Sequence, residues 1–578
     1  MYILGINAYH GDSSACLLKD GKIINAIEEE RIRRIKHWAG FPSEAIKFCL
    51  NDAGISIEDV DYITIGRNPS AHLGKKVISS LKKLANLNFI KDRIANIQKV
   101  TSVKSELAKS LGVPENKIRA EIKHIEHHRS HLASAFFASP FDEAAIISID
   151  GFGDFSSAMF AVGRGNKIKV LDSVTYPHSL GIFYTAFTQY LGFPWYGDEY
   201  KVMGLSPYGE PKYLDKMSKI VKMKKDGKFE LDESYFIHST AGVAMTWENG
   251  APFIDRIFSD KMIDEFGAPR SKDEPLNQYH KDLAASVQKH CENVIFHMLN
   301  HLYKETGIKN ICIAGGVAQN SVANGKIRLM TDFENVYIPS AGYDAGTAVG
   351  SALWLYHQQL DKDNREFVRD AYLGAHYSDD EIENVLKEAD IKYTRYNNDE
   401  ETIEHTAEML ANGAVLGWFQ GRTEFGPRAL GNRSVLVHPG RPDAKDLINS
   451  KIKRRESFRP FAPSILREYV NEYFEQDDDA YFMEKVFIIR PEKRAGLPAV
   501  THVDGSGRLQ TVHKDVSPKY YALIDKFRAK TGLPILLNTS FNENEPIVNH
   551  PKEALDCFLR TEMDALVMGN LVVTRSDV

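Results

Sequence analysis

Residues 3–23 read Ile3-Leu4-Gly5-Ile6-Asn7, then Asp12-Ser13-Ser14-Ala15, then Asp20-Gly21-Lys22-Ile23. Residues 146–168 repeat the pattern as Ile146-Ile147-Ser148-Ile149-Asp150, then Asp154-Phe155-Ser156-Ser157-Ala158, then Gly165-Asn166-Lys167-Ile168. Ser14 and Ser157 stand the same distance beyond Ile6 and Ile149, so the register is kept. Each copy predicts a strand, a polar turn, a second strand, a glycine turn and a third strand. An internal repeat of this kind changes the fold assignment for everything around it.

Two such meanders in one domain, each followed by helical segments, predict the duplicated actin, sugar-kinase and Hsp70 architecture. There, small Ser and Gly residues in the turns let backbone amides approach an anion. Further on, Lys309 to Ala314 reads as a buried strand running into Gly315-Gly316-Val317-Ala318-Gln319-Asn320. A following helix would place its N-terminus against a phosphate. The stretch Asp344-Ala345-Gly346-Thr347-Ala348 repeats the sequence of strand, turn and helix. No GxxxxGK[ST] is present, which excludes a P-loop.

Between the repeats lies Glu126-His127-His128-Arg129-Ser130-His131. His127 and His131 are spaced i, i+4, so a helix presents both imidazoles on one face. Asp150 at the end of the next strand, and Asp344 in its glycine-flanked turn, are the expected oxygen ligands of a shared metal. Two imidazoles with two carboxylates suit Fe(II), Mn(II) or Zn(II), and ligand type alone does not choose. His124 and His128 read as hydrogen-bonded or packed histidines.

The chain's 578 residues exceed what one core supports and predict several domains. Its 43% hydrophobic and 26% charged content is that of a globular protein, and a net charge of -6 argues against a nucleic-acid partner. The five cysteines (Cys16, Cys49, Cys291, Cys312, Cys557) form no CxxC, which argues against a disulfide framework or a zinc ribbon. With no basic leader and no stretch approaching a membrane span, a reducing cytoplasm is the expected location. A homodimer is one assembly the sequence allows.

The charged stretch Asp361 to Arg365 is the expected boundary, giving domains 1–362 and 363–578, with 209–274 as an insertion that shapes an acceptor pocket. Beyond the boundary, Asp379 to Ala389 and Glu400 to Ala411 read as helices, and Ala414 to Phe419 and Leu533 to Leu537 as strands. From Gln420 to Leu466 there are ten Lys or Arg against four acids. Arg422, Arg428, Arg433, Lys451, Lys453, Arg454, Arg455 and Arg459 are interleaved with glycine and proline rather than with apolar residues at helical spacing. Cations on such stiffened turns resemble a cage for a small polyanion, since guanidinium forks bind phosphate oxygens in pairs. Polar knots at Thr501 to Thr511 and Leu537 to Asn542 read as ligand loops beside strands.

These strings together resemble the O-carbamoyltransferases of natural-product and nodulation-factor biosynthesis. The resemblance rests on Gly11-Asp12-Ser13-Ser14-Ala15, Glu28-Glu29-Glu30-Arg31 with Lys36-His37, His127 to His131, Lys201 to Gly209, Gly421 to Ser434, Lys453 to Pro463 and Asn538 to Asn542, and it covers nearly the whole chain. One departure is that Gly11 occupies the position before Asp12 where many members carry histidine, and His10 lies one residue earlier.

The resemblance implies a C-terminal YrdC-like α/β domain that converts carbamoyl phosphate and ATP, with Mg, into carbamoyl-adenylate. The N-terminal actin-like domain would pass the carbamoyl group to a small-molecule or sugar hydroxyl. It implies Fe(II) on His127, His131, Asp150 and Asp344, and catalytic roles for His10, Asp12, Arg422 and Lys453. Contacts to nucleotide and carbamoyl phosphate would come from Gly151, Gly315, Gly316, Asn320, Arg428, Arg455, Arg459, Arg508, Asn538 and Ser540. His10 or His128 would take the hydroxyl proton. A tRNA threonylcarbamoyl transferase would call for a more basic surface. A hydrogenase-maturation carbamoyltransferase would call for zinc-finger modules. An Hsp70-like nucleotide-binding protein leaves the histidine pair and the arginine cage unexplained.

Overall fold

The computed structural model describes residues 1–72, 103–240 and 245–578, apart from the side chains of 245–248. The chain divides into two compact units, one of Met1–Asn320 with Ile327–Val368 and one of Ser321–Lys326 with Arg369–Val578.

The repeat is structural. In the first unit, strands β1 (Tyr2–Asn7), β2 (Ser14–Lys19), β3 (Lys22–Glu28), β4 (Tyr62–Ile65) and β5 (Glu121–His124) form a sheet in the order β3-β2-β1-β4-β5. The second copy, β6 (Glu143–Gly153), β7 (Ser156–Arg164) and β8 (Lys167–Thr175), joins strands Asn310–Ala314 and Asn335–Tyr337. In both sheets an antiparallel meander supplies three strands and its first strand then pairs in parallel with the next: β1 with β4, and β6 with Asn310–Ala314. Parallel pairing needs a crossover, and the intervening helices are what each sheet packs against. That duplicated topology is the actin-like fold. The copies differ at the first turn: β6 runs through Gly153, with its register to β7 slipping between Ile149 and Gly153, so only Asp154 and Phe155 separate the strands.

Helix Gly346–Leu353 is wedged between β1 and the helix His127–Phe136. Two glycines permit this. A Cβ on Gly5 would fall 2.1 Å from the Ala348 carbonyl oxygen, and one on Gly350 only 1.8 Å from that of Ser130. Buried Thr64 and Ser351 share a hydrogen bond of 2.9 Å on the same contact.

The residues after Gly315-Gly316 do not form the expected helix. They make a 3-10 turn, Gly316–Gln319, and the four-residue helix Ser321–Asn324. The 209–274 stretch contains helices Leu214–Ile220 and Asp260–Phe266 and two small two-stranded ribbons; residues 241–244 lie outside the described residues.

The second unit is a nine-stranded mixed sheet with helices on both faces. Strict alternation along its central strands produces two cores. Val435, Val437, Ile535, Leu537, Leu566 and Met568 point to one face, against Leu386 and Phe558 of helices Asp379–Glu388 and Pro551–Arg560. Leu416, Trp418, Leu436, Leu536 and Val567 point to the other, against Leu410 and Phe527 of Asp399–Ala411 and Pro518–Thr531. A period of two with both faces covered is why these strands read as unbroken apolar runs. Among the described residues no helix is long and apolar enough to cross a membrane.

Gly350→Ala forces a methyl into the Ser130 carbonyl and should destabilise the first unit by about 1–3 kcal/mol. The check is a lower urea midpoint for the transition that reports the first unit.

Candidate functional site

Helix His127–Phe136 starts against an acid. Asp154 Oδ2 accepts the backbone N–H of His127 at 2.9 Å and that of Asn68 at 2.7 Å. A carboxylate at a helix N-terminus satisfies orphan donors and matches the helix dipole. Glu126 carries no cap bond to the helix; its side chain holds His72 at 2.9 Å and Arg129 at 2.7 Å.

The i, i+4 spacing brings the Nε2 atoms of His127 and His131 to 3.0 Å. Asp150 Oδ2 lies 3.3 Å from His127 Nε2 and 2.9 Å from His131 Nε2, and Asp344 Oδ1 lies 3.4 Å from each. All four residues are at most 9% exposed. Asp344 Oδ1 and His131 Nδ1 are buried without a hydrogen-bond partner. Four donor atoms on a metal at about 2.0–2.2 Å stand roughly 3.3 Å apart, which is the spacing here, so the donor set fits a divalent cation. Burial pulls the His127 imidazole down in pKa, but the carboxylates of Asp150 and Asp344 beside it outweigh burial and raise it to about 10. A proton on His127 thus supplies positive charge where a cation would otherwise supply it.

Four other predicted residues of this unit, His10, Gly151, Gly315 and Gly316, lie against this cluster or the strand end that carries Asp150. His10 Nδ1 contacts Asp344 Oδ2, so the shift of one residue along the turn still delivers this imidazole to the cluster. Gly151 donates its N–H to Asp150 Oδ1 at 2.7 Å. A Cβ on Gly315, at φ +94°, would meet the Ile149 carbonyl oxygen at 2.2 Å, and one on Gly316 would meet Asp150 Oδ1 at 2.9 Å. These two glycines are therefore needed for close passage over the strand end that carries Asp150. Asn320 exchanges hydrogen bonds of 3.0 Å with Gln288. His128 bonds Ser148 Oγ at 2.7 Å and is fully buried; burial and the neighbouring imidazoles lower it to about 3, so it is a packed neutral histidine rather than a base.

Sequence reading gave Asp12 a catalytic role but missed the residues grouped with it. Asp12 Oδ1 is 2.7 Å from His37 Nδ1, and Glu30 Oε2 accepts the His37 backbone N–H at 2.7 Å. Tyr196 packs its ring edge against His37, 5.3 Å between centroids. His37 and Glu30 stood in the quoted family strings without a role; Tyr196 had only its setting before Gly197 as a signal.

In the second unit the basic stretch separates into three fates. Arg433 is a brace. It is fully buried, stacks on Phe419 at 3.6 Å, and donates to the carbonyls of Gln420, Gly421, Asn432 and Ala375. Expecting it among ligand-facing cations was wrong, because a guanidinium's five donors suit backbone oxygens as well as phosphate. Glu424 Oε1 closes the same loop, accepting the N–H groups of Leu430 and Asn432 at 2.7 and 2.9 Å. Lys451 and Arg454 are on the surface, paired with Glu562 and Glu543.

Arg428, Arg455, Arg459 and Arg508 form the cage. Arg508 Nε is buried without a partner, and burial followed by repulsion from the other three holds its pKa well below the usual guanidinium range. Arg455 is steered by Asn449 at 2.8 Å and by the Phe461 ring at 4.6 Å. Asn538 donates to Ala429 O at 3.2 Å and Ser464 Oγ at 3.1 Å, while its Oδ1 is buried with no partner. Lys453 is buried and donates to Ser540 Oγ, Asn542 O and Asn542 Oδ1 at 3.2, 2.8 and 2.6 Å, which fixes the loop after Asn538. Arg422 reaches Leu373 O at 3.4 Å.

A duplicated actin-like unit carrying a histidine–aspartate cluster, joined to an α/β unit carrying a guanidinium cage, defines a group-transfer enzyme. The chain belongs to the carbamoyltransferase family: the carbamoyltransferase N-terminus matches residues 2–353 and the carbamoyltransferase C-terminus residues 407–575. It is 43% identical to the uncharacterized protein sll1178 of Synechocystis, covering 100% of this chain and 97% of that one. It is 38% identical to nodulation protein NolNO of Sinorhizobium fredii, covering 98% and 80%. Against 3'-hydroxymethylcephem-O-carbamoyltransferase of Amycolatopsis lactamdurans it is 33% identical over 46% of this chain and 49% of that one.

Arg433→Ala strips the donor from two buried and two part-buried carbonyls and should cost about 3 kcal/mol. Arg508→Met removes a cation from among like charges and should leave stability unchanged or raised. Urea midpoints of the two variants, measured side by side, check the contrast.

Proposed function

We propose that the protein is an ATP-dependent O-carbamoyltransferase working in two half-reactions, with domains at about 1–362 and 363–578. The observation that carries this reading is the presence of two charge clusters of opposite sign: Arg508 buried among the guanidiniums of Arg428, Arg455 and Arg459 in one unit, and two carboxylates on two imidazoles in the other.

The cage suits substrates that are phosphate-rich at one end. Arg428, Arg455, Arg459 and Arg508 bind the oxygens of carbamoyl phosphate and MgATP, and Arg422 and Ser540 extend the same contacts. The unpartnered Asn538 Oδ1 accepts from the carbamoyl NH2, a specific requirement that acetyl phosphate does not meet. Carbamoyl phosphate loses phosphate to water, and the carbamate attacks the ATP α-phosphate, giving carbamoyl-adenylate and pyrophosphate. Exchange of phosphate for AMP adds an adenosine handle whose binding energy can orient a small, poorly reactive donor.

In the first unit His127, His131, Asp150 and Asp344 would hold a divalent metal, Fe(II), Mn(II) or Zn(II). When bound, it supplies Lewis-acid polarisation of the carbamoyl carbonyl. His10 fixes Asp344, the glycine turn at Gly315 and Gly316 leaves room beside Asp150, and the backbone of Gly151 holds the Asp150 carboxylate. The acceptor is a hydroxyl on a small molecule or sugar. The relative named for a 3'-hydroxymethylcephem supports an oxygen acceptor.

Carbamoyl phosphate-dependent exchange between ATP and pyrophosphate tests the reading. Wild type should exchange and Arg508→Met should lose at least ~100-fold. His131→Ala should keep exchange within a few-fold while its bound metal, measured by elemental analysis, falls. A wild-type protein with no exchange, or with exchange that ignores carbamoyl phosphate, would exclude this chemistry and leave a nucleotide-binding role.

A further inference from the structure

We propose that His37, held by Asp12, is a hydrogen-bond donor to the carbamoyl oxygen during transfer. The idea rests on the reading above and extends it to a residue outside the metal-type cluster.

Four observations place this histidine. Asp12 and His37 both adopt left-handed backbone conformations, φ +58° and +56°, which non-glycine residues seldom take. The segment carrying His37 is zipped onto the first turn, Ser13 N–H to Trp38 O at 2.8 Å, with the Asn7 side chain donating to the carbonyls of Gly11 and Asp12 at 3.1 and 3.0 Å. Nδ1 is thereby fixed on Asp12 at 2.7 Å, while Nε2 makes no protein hydrogen bond among the described residues. The side chain remains 31% exposed, and a Cβ on Gly197 would fall 2.4 Å from Nε2, so glycine is what leaves that nitrogen open.

Tyr196 ties this nitrogen to the reaction space. Its hydroxyl passes so close to Gly11 that a Cβ there would lie 2.2 Å from it. Burial, then Asp12, Asp344, Asp150 and Glu199, raise its phenol. One phenol thus feels the carboxylate beside His37 and both carboxylates of the histidine–aspartate cluster. The first turn joins the two groups, since His10 contacts Asp344 while Asp12, two residues on, holds His37.

The charge on His37 decides between donor and base. The groups facing it are Asp12, Glu30, Lys36, Glu199 and the Tyr196 phenol. Burial lowers its pKa, but Asp12 and Glu30 outweigh burial and Lys36, raising it to about 9. An imidazolium has two N–H donors and no lone pair, so at neutral pH it donates to Asp12 through Nδ1 and outward through Nε2. Asp12, Glu30 and His37 each offer a ligand atom within 4.8 Å of the others, but the cation those acids already hold is the imidazolium.

The step balances without a proton from His37. The acceptor oxygen bonds to the carbamoyl carbon, and the carbonyl electron pair moves onto oxygen under the Nε2–H. Collapse breaks the bond to the phosphate, and the hydroxyl proton leaves on the AMP phosphate. His37 keeps its proton throughout. The structural alternative is that His37 only buttresses the turn.

The test uses the full metal-loaded chain with ATP, carbamoyl phosphate and water as the hydroxyl acceptor, reading AMP and ammonia. His37→Ala should lower this turnover ~100-fold and His37→Gln, which retains an N–H, only ~10-fold, both with normal carbamoyl phosphate-dependent exchange. Wild-type turnover should fall as pH rises through about 9, and in Asp12→Asn that break should move down by at least a unit. Unchanged turnover in His37→Ala, an equal loss of exchange, or turnover that climbs with pH through 7 as a base requires, each overturns the proposal. Absence of exchange in wild type would instead overturn the two-step reading. Histidine NMR then still judges the charge: a His37 imidazole titrating below 7 in wild type refutes the donor role, and one titrating near 9 that drops in Asp12→Asn sustains it.

Discussion

Two carboxylates, Asp150 and Asp344, converge in one buried space from the end of β6 and the turn before helix Gly346–Leu353. Like charges so placed repel strongly in a medium of low polarity, and only positive charge between them makes the arrangement stable. The protonated His127 supplies it, with His131 and His10 packed against the same acids, and much of the first unit is shaped to bring them there. Gly350 lets the helix behind Asp344 press onto the histidine helix, Gly5 lets it press onto β1, and the slipped register of β6 turns Asp150 inward. A fold that served stability alone would have no reason to collect these charges, since apolar residues of the same volume pack at lower cost.

The second unit contains the opposite imbalance, and the comparison separates function from structure better than either site alone. Arg433 and Arg508 are both cations of the same α/β sheet. The first has backbone carbonyls around it and an aromatic ring beneath it. The second has three other guanidiniums for neighbours, and each of the two has a buried Nε with no acceptor. What separates them is the rest of the fork: bonds to several carbonyls mark a brace, whereas burial among like charges is the pattern expected where an anionic ligand completes the electrostatics.

The fold was legible where a local pattern is repeated or strictly periodic. The Ser-Ser-Ala turns at equal spacing announced the duplicated sheets, the histidine pair announced its helix, and the apolar runs from Ala414 and Leu533 announced central strands. Legibility failed where the outcome depends on partners distant in the chain. The residues after Gly316 have helical composition, but the chain there bends into short turns at the strand end carrying Asp150. Arg433 looked like its neighbours because nothing local reveals that the Ala375 carbonyl will arrive to meet it. His37 stood in a quoted family string but gave no sign of its role, because its pairing with Asp12 exists only once both take left-handed conformations.

That last failure has a general physical content. A side chain's chemistry is set by the groups folding brings within a few ångströms, and the same residue type diverges accordingly. His128, packed beside Ser148 and two other imidazoles, is driven to about 3, while His37, between Asp12 and Glu30, is driven to about 9. For His37 the sign is explicit: its folded pKa lies above the ordinary histidine value near 6.5, so the stabilisation it contributes is complete below that value and is lost as pH rises through about 9. For His128, whose folded pKa is lowered, the dependence runs the other way: the stability present above the ordinary value near 6.5 is lost as pH falls from there through about 3. Two histidines of one unit thus bracket the range in which the charge pattern of the first unit persists, and the limits are set by burial for His128 and by carboxylates for His37, neither of which a single stretch of sequence contains.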